Sequence, residues 1–92
     1  MKFVILGWDS PAGQKLRPLH RPAHLERLHD LEAQGRLICA GPFGDQTGSL
    51  IMIEADSLQD AEAFAQEDPY MKLGVFERVE VHPFTFVLPK TN

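Results

Sequence analysis

The chain has 92 residues, 43% apolar and 24% charged, and carries a formal net charge of −4. That length makes one domain, residues 1–92, with a modest core. The acidic balance and the scattering of its nine Lys and Arg residues argue against a nucleic-acid partner, and a single cysteine, Cys39, excludes an internal disulfide or a cysteine-built zinc site.

The opening KFVILGW, residues 2–8, is rich enough in β-branched and aromatic side chains to predict a strand. Trp8 and Asp9 interrupt its apolar run, so it does not read as a signal peptide. No run approaches the roughly 18 apolar residues of a membrane span. A cytoplasmic protein with no membrane partner is the expectation. DSPAGQKLRP, residues 9–18, has the glycine and prolines of a loop. A helix follows to about Gln34, with Gly35 as its stop. RLICAGP, residues 36–42, predicts a second strand in which Cys39 is a small buried residue. FGDQTG has turn chemistry, and SLIMIEA, residues 49–55, predicts a third strand across a hairpin. Ser57, with Asp60 three residues on, opens a second helix as a capping pair. Asp68-Pro69 stops that helix, because a residue before proline avoids the helical region. VFERVEVHPFTFVL, residues 75–88, is the last strand, and Pro83 marks it as an edge or a bulge.

The order βαββαβ predicts an α+β, ferredoxin-like fold with two helices on one face of a four-stranded antiparallel sheet. Strand one is apolar on both sides, with Phe3 and Ile5 on one and Val4, Leu6 and Trp8 on the other. Two helices cover one face only. A homodimer joined through the other sheet face is therefore expected.

Three histidines cluster in sequence: His20, His24 and His29. Positions i, i+4 and i+7 share a helix face, which aligns His24 with Leu28 and Leu31 and turns it toward the sheet. His29 falls on the solvent side. His20 and His24 have the i, i+4 spacing of metal ligands, but Pro18 and Pro22 disturb that turn and no His-Glu-x-x-His motif is present. No metal and no cofactor are expected. A histidine on an apolar face is either a hydrogen-bonded core residue or a base. Asp68 supplies the partner. It lies on the inward stripe of helix two, where a carboxylate at a helix C-terminus opposes the helix dipole, or it simply caps the turn into Pro69. In the expected topology the start of helix one lies beside the end of helix two, bringing His24 to Asp68. The ends of strands one and two and the start of strand three, with Trp8, Pro42 and Ser49, gather at the same end.

Arg21-Pro22-Ala23-His24-Leu25, Gly35-Arg36-Leu37, Ala40-Gly41-Pro42, Gly48-Ser49, Asp68-Pro69-Tyr70, Gly74-Val75 and Pro83-Phe84 together resemble the signature of the YciI-like family. The resemblance spans essentially the whole chain. It implies a dimeric α+β barrel related to muconolactone-isomerase-type proteins. It also implies an active site of a histidine and an aspartate, which here are His24 and Asp68, and it aligns the family's serine with Ser49. One relative dechlorinates a hydroxylated aromatic.

These readings combine into a small-molecule enzyme of lyase or isomerase type. An aspartate bonded to one imidazole nitrogen fixes the tautomer and leaves the other nitrogen as a base. Arg17 and Arg21 suit a planar anion, or are solvated charges at a helix start. Tyr70 positions or protonates substrate, or packs. Ser49 lacks a Gly-x-Ser-x-Gly setting and is a hydrogen-bonding residue. Trp8 lines the pocket or plugs the core. The alternative is a non-catalytic ligand-binding or interaction module in which the His–Asp pair pins the helices together.

Overall fold

A computed structural model describes residues 1–90. Its elements run β1 (Lys2–Asp9), α1 (Gly13–Ala33), β2 (Leu37–Pro42), β3 (Gly48–Glu54), α2 (Leu58–Gln66), α3 (Pro69–Lys72) and β4 (Phe76–Phe84). The four strands form one antiparallel sheet in the order β2-β3-β1-β4, the ferredoxin-like arrangement. β1 is central. Ile5 lies opposite Ile51 on one side and Val81 on the other.

Strand alternation sorts the side chains of β1 and β3. Phe3, Ile5, Ile51 and Ile53 are buried and pack with Leu28 and Leu31 of α1 and Ala61 and Ala65 of α2. Val4, Leu6, Leu50 and Met52 point to the other side of the sheet and are half-buried. The core thus lies between the sheet and the helices, with the opposite sheet face uncovered.

The helix stop at Gly35 has a clear physical basis. Gly35 has φ 72°, and its N–H bonds to the Glu32 carbonyl while the Arg36 N–H bonds to the Leu31 carbonyl. Those two bonds satisfy carbonyls that the helix end leaves free, and glycine takes the left-handed conformation without steric cost. The cap expected at α2 is also present: the Ser57 side chain accepts from the Asp60 N–H at 3.1 Å.

Four expectations need correction. α1 starts at Gly13, so much of the expected loop over residues 9–18 is helix, with Pro18 and Pro22 inside it. Each interior proline removes a helical hydrogen bond, and tertiary contacts hold the first turns in place. Gly13 sits so close to Asp9 and the Val75 carbonyl that an added Cβ would come within 2.8 Å of each. Cys39 is exposed, because β2 is an edge strand and a register shift between Leu37 and Cys39 sets the cysteine opposite Met52, on the uncovered face. β4 ends at Phe84 rather than residue 88, since its ladder with β1 runs out at Lys2. Finally, Asp68 does not oppose a helix dipole. It is the N-cap of α3, accepting from the Tyr70 N–H at 2.8 Å, where a carboxylate is favoured.

Candidate functional site

His24 lies on the inward face of α1 with Leu28 and Leu31, and all three are buried. Its Nδ1 is 2.8 Å from Asp68 Oδ1, joining residues 44 positions apart. The carboxylate is 3% exposed and the histidine 7%. The same carboxylate oxygen accepts from the Tyr70 backbone N–H, so the cap that starts α3 also aims the carboxylate at α1. A carboxylate only accepts hydrogen bonds, so in the neutral imidazole Nδ1 carries the proton and donates it. Nε2 then holds the free lone pair. Among the described residues it has no hydrogen-bond partner, and it is not among the buried unsatisfied atoms.

A second contact fixes the ring. The imidazole stacks on Tyr70, with centroids 3.8 Å apart and planes 3° from parallel. Tyr70 in turn meets Phe76 edge-on. Gly7 makes room for Phe76, whose ring occupies the space a Cβ there would need.

A cavity of about 450 Å³ opens beside this pair, lined by Arg17, Arg21, His24, Ser49 and Tyr70 at one end and by side chains of α1 and β2 along its length. That volume suits a ring-sized ligand. Leu25, Leu28, Leu37 and Ile51 make its walls apolar.

The arginines have different situations. Arg17 is anchored: its Nε donates to Asp9 Oδ2 at 2.9 Å and its Nη2 to Asp9 Oδ1 at 2.7 Å. Nη2 also donates to Ser49 Oγ at 3.0 Å. The guanidinium carbon lies 5.2 Å from the Tyr70 ring centroid and 5.8 Å from that of Phe76. Arg17 is therefore not a solvated charge at a helix start, and its hydrogen bonds to Asp9 raise its already high pKa. Arg21, by contrast, is exposed at the cavity rim and has no ion-pair partner among the described residues. The single tyrosine has its pKa raised, chiefly by burial, with the charges of Arg17 and Arg21 pulling the other way. Its phenol stays protonated through the neutral range.

Trp8 requires a correction, because it neither lines this cavity nor enters the core. It follows Val4 and Leu6 on the uncovered sheet face, donates through its indole N–H to Glu80 Oε2 at 2.5 Å and packs against Phe43. Two-residue alternation along β1 forces this direction.

His29 is exposed, 3.5 Å from Glu32. His20 lies inside α1 one turn before His24, yet no group of three or more His, Cys, Asp or Glu side chains placed to hold a metal occurs among the described residues. No helix among them is long and apolar enough to cross a membrane.

The Asp9–Arg17 pair went unanticipated. Its signal was present, because Arg17 is seven residues before His24 and shares its face once the helix is allowed to begin at Gly13.

An α+β sheet carrying a buried His–Asp pair beside a ring-sized cavity is a scaffold for small-molecule chemistry, and similarity to known proteins narrows it. Residues 1–85 match the YCII-related domain family, and the chain belongs to that family. Protein YciI of Escherichia coli is 40% identical over 94 aligned residues, covering 91% of this chain and 96% of its own. An uncharacterized protein of Haemophilus influenzae is 37% identical with the same coverage. Among solved structures, 5-chloro-2-hydroxyhydroquinone dehydrochlorinase from Burkholderia phenoliruptrix, in complex with 2,5-dihydroxybenzoquinone, is similar with a TM-score of 0.83. It is 29% identical, and the match covers 95% of this chain and 96% of that one.

Proposed function

We propose that this protein is a small-molecule enzyme of lyase or isomerase type in which His24 is the general base and Asp68 its orienting partner. One observation carries the reading: His24 Nδ1 is committed to Asp68 at 2.8 Å while Nε2, without a partner among the described residues, belongs to a residue lining the cavity. A purely structural histidine has no need of an open nitrogen. In the proposed reaction Nε2 takes a proton from a substrate C–H or O–H. The electron pair left behind either expels a leaving group or moves a double bond. The imidazolium that forms is stabilised by the Asp68 carboxylate. In an isomerisation His24 returns the proton at another position. Arg21, free at the rim, attracts an anionic substrate, and Tyr70 and Ser49 contact it inside.

The dehydrochlorinase at 29% identity supports this class of chemistry and suggests that an aromatic or quinonoid compound fits. The competing reading is a binding module in which the dyad only joins α1 to α3. Its support is the double use of Asp68, which caps α3 as well as holding His24.

Association of two copies through the uncovered sheet face accompanies this proposal. Val4, Leu6, Leu50 and Met52 lie together there, half-buried, on the side of the sheet away from the residues that pack on the helices.

The test is a panel of chlorinated hydroxyquinols, hydroxyquinones and lactones, including 5-chloro-2-hydroxyhydroquinone and 2,5-dihydroxybenzoquinone. Binding is read by thermal shift and turnover by product formation. A general base contributes on the order of a hundredfold or more, so His24→Ala is expected to reduce turnover by at least that factor while keeping the fold. Equal turnover in wild type and His24→Ala, or ligands that bind without any turnover, would favour the binding module.

A further inference from the structure

The polar atoms at the inner end of the cavity are unevenly divided. His24 Nε2 is an acceptor without a partner among the described residues, and Arg17, Ser49 and Tyr70, which carry donors, line the same cavity. Ser49 is 3% exposed, and its oxygen already accepts from Arg17 Nη2. Its hydroxyl proton is therefore left to point away from Arg17. Tyr70 is 2% exposed, lines the same cavity and keeps its phenolic proton. Arg17 cannot give up its proton and is held by both oxygens of Asp9, so it touches Ser49 and flanks Tyr70 in one fixed position. The carboxylates do not compete for this space. Asp9 is turned to Arg17 and Asp68 to His24. Glu32 is eight residues along α1 from His24, about 12 Å away by helical rise, and pairs with His29.

From this arrangement we infer that Ser49 and Tyr70, backed by Arg17, form an oxyanion subsite beside the His24 base, so that the substrate is a phenol or enolisable carbonyl compound that gains negative charge on oxygen as it reacts. The inference rests on the reading of His24 as proton acceptor. The ligand's O–H or C–H bond breaks, its proton goes to Nε2, and the electron pair settles on the ligand oxygen. Ser49 Oγ–H and Tyr70 Oη–H donate to that oxygen. Arg17 does not touch the ligand in this scheme and is a positioning residue. By donating to Ser49 it strengthens the hydroxyl as a donor, as linked hydrogen bonds polarise one another. Fixed donors facing developing charge stabilise a transition state. Asp9, bonded through both oxygens, holds the guanidinium in one place.

The probe is 4-nitrophenol, whose absorbance distinguishes the bound phenol from the bound phenolate. Its binding and ionisation midpoint are measured across pH with the intact protein. The bound dye is expected to ionise at lower pH than the free dye. Ser49→Ala and Tyr70→Phe are each expected to weaken phenolate binding by roughly tenfold or more, the size of one hydrogen bond to a charged group, and to raise the midpoint. Arg17→Lys keeps a charge but loses the two-oxygen lock on Asp9 and is expected to raise the midpoint to a smaller extent. The same donor substitutions are repeated in a His24→Gln background. There the dye's proton goes to solvent, yet Ser49→Ala and Tyr70→Phe are still expected to raise the midpoint. If they have no effect there while His24→Gln alone abolishes ionisation, the base reading stands and the subsite is refuted. If the donors act but His24→Gln changes nothing, the subsite stands and the base reading fails. Failure of the dye to bind, or preferential binding of its neutral form, overturns the inference.

Discussion

Replacing Asp9 with alanine removes the carboxylate bonded to the Arg17 guanidinium and leaves a cation that cannot shed its charge. The side chains are 7% and 14% exposed and the two contacts measure 2.7 and 2.9 Å. Removing one member of a buried ion pair costs about 3–5 kcal/mol. Arg17 keeps Ser49 and the Tyr70 face and is slightly the more exposed partner, so the lower end of that range, about 3 kcal/mol, is expected. Against a total of about 5–15 kcal/mol for a domain this is a large fraction. At about 4–8 °C per kcal/mol for a chain of this size it lowers Tm by about 12–24 °C. The assay is urea denaturation followed by circular dichroism, with Asp9→Ala, Arg17→Met and the double variant in one cycle. The double variant is expected to lose less than the two single losses together, because removing both charges leaves neither stranded. A loss below about 1 kcal/mol in each single variant, with additive behaviour in the double, would place the pair with ordinary surface ion pairs and refute its role as the anchor of the site.

Titration of Tyr70, the single tyrosine, gives a direct optical test of its environment. Burial raises its pKa, so tyrosinate absorbance is expected to appear above the pH of a free tyrosine. The linked stability is fully present below the ordinary tyrosine value and is lost as pH rises through the folded value; Arg17→Met, which removes an opposing charge, is expected to move the midpoint higher still. The Glu80 carboxyl is shifted the other way, chiefly by the hydrogen bond from the Trp8 indole. Its contribution is present above the ordinary carboxylate value and fades as pH falls through the folded one, and Trp8→Phe is expected to return the carboxyl toward its ordinary value in an NMR titration. For association, light scattering of the 10.3 kDa chain is expected to give twice that mass, and Leu6→Glu to give the monomer with its circular dichroism unchanged. Wild type at the monomer mass would dispose of the sheet-face dimer.

The order of strands and helices was legible because each segment carries its own local signal. β-branched runs mark β1 and β3, a capping serine opens α2, and Gly35 closes α1. The pairing of His24 with Asp68 was legible from two steps, helical periodicity and the antiparallel neighbours of the fold. The misreadings come from terms that are not local. Prolines at 11 and 18 argue for a loop, and contacts of Gly13 and Arg17 with Asp9 overrule them. That reading hid the pairing of Arg17 with Asp9, which becomes apparent only when the helix begins five residues before Pro18. Cys39 reads as core from its apolar neighbours, but exposure is decided by the strand's place at the sheet edge. Trp8 shares an end of the sheet with the site and points away from it, a distinction that alternation along β1 settles once Phe3 and Ile5 are known to face the helices. Asp68 was singled out as a misplaced charge at the end of one helix, whereas it caps the start of the next. The residue was found through a local conflict that the short helix α3 removes.

The most direct test of the account concerns the two ring nitrogens of His24, which long-range nitrogen–proton NMR distinguishes without any substrate. In the neutral imidazole the proton is expected on Nδ1, facing Asp68, with the lone pair on Nε2. Asp68→Asn, which can present an amide N–H in place of an acceptor, is expected to disturb that assignment. A neutral imidazole protonated on Nε2 in the wild type, or a tautomer indifferent to Asp68→Asn, would contradict the account.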